Sequence, residues 1–193
     1  MLTVSCGYAK IIVYLTRPLL YAILYQWEYI KGEEALFKIG DKVVYPMHGA
    51  GVIEAIEEKE VLGEKRQYYI LRLPVGDMKV MIPIANSGGG GLREVIDHDG
   101  VQRVFHILRE QSSAMSPNWN RRYRANLEKI KSGNIYEVAE VVRNLITRDR
   151  EKGLSSGERK MLENARQILI SELVLATELE EDKAKSLLDS AFA

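Results

Sequence analysis

Cysteine is almost absent: Cys6 is the only one in 193 residues. No internal disulfide and no cysteine-based zinc cluster can form, which suits a reducing cytoplasm. The three histidines, His48, His98 and His106, are scattered. Asp97-His98-Asp99 has metal-ligating residue types, but with no companion ligand set it reads as a polar turn before a helix. Net charge is missing as well, since 27 Lys+Arg balance 27 Asp+Glu. A free-standing nucleic-acid binder is usually basic, so DNA binding here has to be weak, local or assisted by a partner. No Walker loop, G-x-S-x-G or H-E-x-x-H occurs, so the sequence offers no reason to expect an enzyme or a cofactor.

A long uninterrupted apolar run is also lacking. Ile11 to Tyr25 is apolar, but Arg17 and Pro18 break it, so it is too short for a membrane helix. It carries no small-residue cleavage site of the signal-peptide kind. Residues 1–36 differ from the rest and read as translated upstream sequence. Lys31-Gly32-Glu33-Glu34 can be encoded by a purine run containing GGAGG, and Leu36 would be a TTG start just downstream. Peptides from residues 1–30 in the cell would overturn that reading. The segment is expected to be poorly ordered.

What is present falls into two modules. Over 37–87 the chain reads as short strands. Phe37 to Pro46 alternates and stops at a proline. Gly49-Ala50-Gly51 is expected to turn, Val52 to Val61 to extend, Gly63-Glu64-Lys65 to turn again, and Gln67 to Leu73 and Lys79 to Pro83 to form further strands. Close, regular spacing suggests a small, strongly bent sheet or barrel of the SH3 or Tudor kind. Pro83 fits an edge strand. By alternation Met81 shares a face with Lys79 and Pro83. Either Met81 is core, or it is an exposed apolar residue beside an edge, as β-augmentation needs.

Gly88 to Gly91 forms a joint. Residues 92–193 read as five short-looped helices in a bundle, making the whole chain α+β. A helix over Gly100–Gln111 carries Val101, Val104, Phe105 and Leu108 on one face. Pro117 begins the next in its first turn, and Ser132-Gly133 ends it. Asn134 caps the third, with Glu137 placed for a capping box, and Gly153 ends it. Ser155 and Glu158 form a cleaner capping box for the fourth. An acidic helix covers roughly 180–192.

Charge within this half is uneven. Arg121 to Arg166 holds twelve Lys/Arg against seven Asp/Glu, whereas Glu172 onward holds two against six. The basic part contains Ser116-Pro117-Asn118-Trp119-Asn120-Arg121-Arg122-Tyr123-Arg124. Arginines suit a phosphate backbone, and a flat apolar ring beside them can wedge into a base step. Trp119, Tyr123, Leu127 and Ile130 also share one helical face, so Trp119 could be core. Its place in a first turn lets it overhang the bundle, and the helix start offers N–H donors to a phosphate. Arg159 and Lys160 stand at another helix start.

The chain resembles the CarD–CdnL family of bacterial transcription regulators over about 37–192. The resemblance rests on Phe37-Lys38-Ile39-Gly40-Asp41, Val44-Tyr45-Pro46, His48-Gly49, Met81-Ile82-Pro83, Asn118 to Tyr123, Ala125 to Lys129, Val138 to Arg143 and Gly153-Leu154-Ser155. It implies a Tudor-like domain that binds the RNA polymerase β subunit. It also implies a helical domain that touches promoter DNA at the upstream edge of the melted bubble. Trp119 matches the family's minor-groove wedge. Arg121, Arg124 and Arg159 match backbone-contacting positions, and Arg122 lies in the same run. Lys59 and Met81 match positions that are arginine in some members, so this chain departs there and an apolar polymerase contact by Met81 and Pro83 is expected. The protein would act as a monomer, without cofactor or membrane. The rival expectation is a protein-interaction adaptor with Trp119 as its anchor, distinguished by its shallow salt dependence.

Overall fold

The computed structural model describes residues 36–61, 63–76, 78–84 and 91–192. The expectations for residues 1–35 and for Gly88 to Gly90 lie outside them.

Among the described residues, five strands come first: β1 Lys42–Tyr45, β2 Gly49–Val61, β3 Glu64–Leu73, β4 Met78–Pro83 and β5 Arg93–Glu94. They pair antiparallel in the order β4-β3-β2-β1-β5. The sheet is open: β4 and β5 are its two edges. One face is set by alternation. Tyr69, Leu71 and Leu73 of β3 meet Ile53, Val43 and Ile82 in a buried cluster, each large side chain contributing about 1.5–3 kcal/mol of burial. Phe37 closes one end, edge-on to Tyr69 at 6.4 Å, and its backbone N–H donates to the Tyr69 hydroxyl.

Gly49-Ala50-Gly51 is strand, not turn. The reversal lies at Pro46–His48, where Met47 takes φ 67° and Tyr45 pairs with Gly49. Small residues are needed in the strand for close approach. A Cβ on Gly51 would come 2.5 Å from the Arg72 carbonyl oxygen. Ala50 donates its N–H to Ser171 Oγ at 2.8 Å, bringing a helix down onto β2.

Five helices follow: α1 His98–Arg109, α2 Trp119–Lys131, α3 Ile135–Lys152, α4 Ser156–Thr177 and α5 Glu181–Ser190. Asp97 is the N-cap of α1, its carboxylate accepting from Gly100 N at 2.8 Å. Pro117 precedes α2 rather than opening it, because Asn118 is the cap and accepts from Arg121 N. Asn134 caps α3, but Glu137 accepts from the Ser132 hydroxyl instead of completing a box. The Ser155–Glu158 capping box of α4 is complete. The helices share a second buried cluster, with Val104, Leu108, Ile130, Val138, Leu145, Leu169 and Leu188 among its members. No described helix is long and apolar enough to cross a membrane.

Candidate nucleic-acid interface and sheet edge

The connection from α1 to α2 carries the backbone to Trp119, and buried polar groups hold it. Arg143 of α3 donates to Ile107 O at 3.0 Å, Glu110 Oε2 at 3.0 Å and Ser113 Oγ at 2.8 Å. Its neighbour Asn144 accepts from Ser113 N at 3.0 Å. A buried guanidinium satisfied this way is costly to disturb, so the segment delivering Ser116, Pro117 and Asn118 has a set path.

Trp119 then stands at the first position of α2 and is 43% exposed. The face it begins grows more buried along the helix, through half-buried Tyr123 and Leu127 to buried Ile130. Periodicity could not separate core from surface, and at the first position of α2 the ring is left partly exposed. The ring nonetheless has fixed neighbours. It stacks on Tyr123 with centroids 5.2 Å apart and planes 25° apart. Its Nε1–H donates to Ser155 Oγ at 2.9 Å. The first turns of α2 and α4 therefore lie side by side, with their N–H ends together.

Arg121 and Arg124 are exposed, three residues apart on α2, and line one shallow depression with Ser116, Pro117, Asn118 and Asn120. This cationic hollow at the start of α2 suits a phosphate, and the Trp119 ring is not part of its lining. Arg159 is exposed in the first turn of α4, on a different groove with Leu162, Arg166 and Ile170.

Arg122 corrects the expectation that it joins them. It is 3% exposed, and its Nε donates to Glu158 Oε1 at 2.7 Å while Nη1 donates to Ser116 O at 2.8 Å. Its charge is spent inside the protein, joining α2 to α4 beneath Trp119. Arg148 approaches the same Glu158 oxygen at 3.7 Å. Burial pushes the Glu158 carboxyl up, but hydrogen bonds from Arg122 and Ser155 outweigh it and hold it below the ordinary carboxylate range. The sequence marked Glu158 only as a capping residue. Nothing in an Arg-Arg-Tyr-Arg run says which arginine turns inward.

On the sheet, register puts Lys59, Met81 and Pro83 on one face. Lys59 pairs with Arg66, Met81 with Ile70 and Pro83 with Tyr68, all on the side of β3 opposite Tyr69 and Leu71. Met81 is 51% exposed on edge strand β4, so of its two readings the exposed one holds. Lys59 is ion-paired with Glu57 at 3.1 Å. Lys79 binds Glu54 at 2.6 Å, so the edge is apolar at Met81 and charge-neutralised beside it.

These features define an α+β protein with an exposed sheet edge in its first half and an aromatic, arginine-flanked helix start in its second. Residues 37–96 match the family model described as the CarD-like/TRCF RID domain, and residues 103–189 match that described as the CarD C-terminal domain. The chain is 47% identical over 151 residues to a Bacillus subtilis (strain 168) protein named "Putative transcription factor YdeB", an alignment covering 78% of this chain and 99% of that one. It is also 46% identical to a solved structure titled CdnLNt from Myxococcus xanthus, over 33% of this chain and 89% of that one, with a TM-score of 0.28. The chain belongs to the CarD–CdnL family, and its role is in transcription regulation.

Proposed function

We propose that this protein binds the RNA polymerase β subunit through its sheet and stabilises the promoter open complex by inserting Trp119 into the minor groove at the upstream edge of the bubble. Residues 37–87 are the polymerase-interacting domain, Tudor-like in kind. Residues 92–193 are the DNA-binding domain, 88–91 link it to the first, and 1–36 are an N-terminal extension. Met81 and Pro83 supply an apolar contact along the β4 edge, with Lys59 on the same face. Arg121, Arg124 and Arg159 face the DNA backbone. The protein acts as one copy, in the cytoplasm, on the nucleoid through polymerase.

The observation that carries this reading is Trp119 itself: a large ring, exposed yet contacted by Tyr123 and Ser155, at the same helix start as the exposed Arg121 and Arg124. A neutral chain grips duplex DNA feebly, but tethering to polymerase raises its effective concentration to roughly millimolar. An already distorted base step spares much of an unstacking cost of about a few kcal/mol. The wedge acts by differential affinity for the melted state. A difference of about 1–2 kcal/mol shifts that equilibrium roughly 5- to 30-fold.

Permanganate reactivity of unpaired thymines on a promoter fragment tests it. Adding the chain to bacterial RNA polymerase is expected to raise that reactivity under conditions where the bubble is unstable. Binding of the chain to polymerase with unchanged reactivity overturns the wedge.

A further inference from the structure

We infer that Ser155 is a positioning residue for the Trp119 wedge, its hydroxyl fixing the indole in the orientation that enters the base step. The inference rests on the wedge reading of Trp119 and adds to it the device that aims the ring.

The Ser155 hydroxyl has one proton and two lone pairs, and three bonds occupy them. It donates to Glu158 Oε2 at 2.8 Å, accepts from Glu158 N at 3.3 Å and accepts from Trp119 Nε1 at 2.9 Å. The donation to Glu158 turns the hydroxyl lone pairs toward its two N–H donors. Glu158 is itself fixed by buried Arg122, which sits three residues after Trp119 on the same helix. Indole, serine, carboxylate and guanidinium thus close a loop that begins and ends on the first turn of α2.

The ring is bounded on other sides too. Tyr123 covers one face at 5.2 Å. The first turn of α4 lies against its edge, where a Cβ on Gly157 would come 3.6 Å from Trp119 Cζ2. The remaining surface is exposed. A side chain already confined to one orientation loses less freedom on insertion, so more of its contact energy appears as stabilisation of the bound state. Ser155 is therefore more than a helix cap: it links helix α4 to the working residue of α2.

The test uses the full chain with Trp27→Phe, which leaves Trp119 as the only indole. Ser155→Gly removes the hydroxyl while keeping a residue nearly as good at an N-cap. Ser155→Thr keeps the hydroxyl. Each is measured three ways: the Nε1–H resonance of Trp119 by NMR, binding to RNA polymerase, and the half-life of the promoter open complex. Ser155→Gly is expected to move the resonance to that of a free indole and to shorten the half-life about 2- to 10-fold, with polymerase binding unchanged. Ser155→Thr is expected to restore both. A double-mutant cycle with Trp119→Phe, which keeps a ring but loses the N–H, is expected to be non-additive. An unmoved resonance, or a moved one with an unchanged half-life, overturns the inference while Trp119→Ala still shortens the half-life. If Trp119→Ala also leaves the half-life unchanged, the wedge reading fails, and the positioning role falls with it.

Discussion

Arg93 lays two guanidinium nitrogens on the carboxylate of Glu172, Nη1 to Oε1 at 2.6 Å and Nη2 to Oε2 at 2.7 Å, across 79 residues of sequence. Glu172 is fully buried in α4 and also accepts from Ile96 N, while Arg93 Nε donates to Gly133 O at 2.8 Å. One side chain on the short strand β5 therefore grips both α4 and the α2–α3 connection. With the Ala50–Ser171 bond beside it, this pair carries the orientation of the sheet to the helix that Ser155 caps.

Arg93→Ala should strand a buried carboxylate. The expected loss is about 3 kcal/mol, or roughly 6–12 °C in Tm for a chain of this size. Differential scanning calorimetry measures it, and a change under 2 °C, on the order of 1 kcal/mol or less, would show that Glu172 finds other partners.

Glu158 makes stability depend on pH in a definite direction. Its folded pKa lies below the ordinary 4.5, so its contribution is complete above pH 4.5 and is lost as pH falls through the lowered value. Glu158→Gln should be less stable than wild type by about 3 kcal/mol at neutral pH, and the gap should close in acid. Glu54 and Glu178 are also lowered, by hydrogen bonds from Lys79 and Lys42, but both proteins keep them and they cancel in the comparison. Urea midpoints at neutral pH and well below pH 4.5 check it. A constant gap would remove Glu158 from the acid response.

Met81→Asp places a charge on an exposed apolar point of β4. Folding stability should change by no more than about 0.5 kcal/mol. Affinity for RNA polymerase should fall at least about fivefold, as loss of an interface anchor worth more than about 1 kcal/mol implies. Biolayer interferometry with immobilised polymerase gives the answer, and unchanged affinity would place the polymerase contact elsewhere.

Gly51→Ala should destabilise by about 1–3 kcal/mol. The added methyl would meet the Arg72 carbonyl at 2.5 Å and Leu71 Cγ at 2.9 Å, and backbone in a paired strand yields little. Thermal melts followed by circular dichroism would show it. A melt like that of wild type would mean the sheet can shift to admit the group.

The strands and helices were legible because alternation and helical spacing are local properties, as in Lys79 to Pro83 or the Ile135 to Ile146 stripe. Caps were legible for the same reason: Ser155 and Glu158 stand three apart. What depended on distant partners was not. Gly49-Ala50-Gly51 has turn composition, yet it pairs with Val43 to Tyr45 of β1, and Ser171, over a hundred residues away, takes the Ala50 N–H. Trp119 lies on an apolar face by spacing, yet at the first position of α2 it is exposed. Arg122 was indistinguishable from Arg121 and Arg124 until Glu158 was brought opposite it. The hydrogen bond from Trp119 to Ser155 joins two helices, so no spacing rule could reveal it.

The most direct test is the half-life of the promoter open complex formed by RNA polymerase with wild-type chain or Trp119→Ala, with polymerase binding measured in parallel. The wedge mechanism predicts a longer half-life with wild type than with polymerase alone, lost in Trp119→Ala while binding to polymerase is retained. Equal half-lives with both chains bound would contradict it.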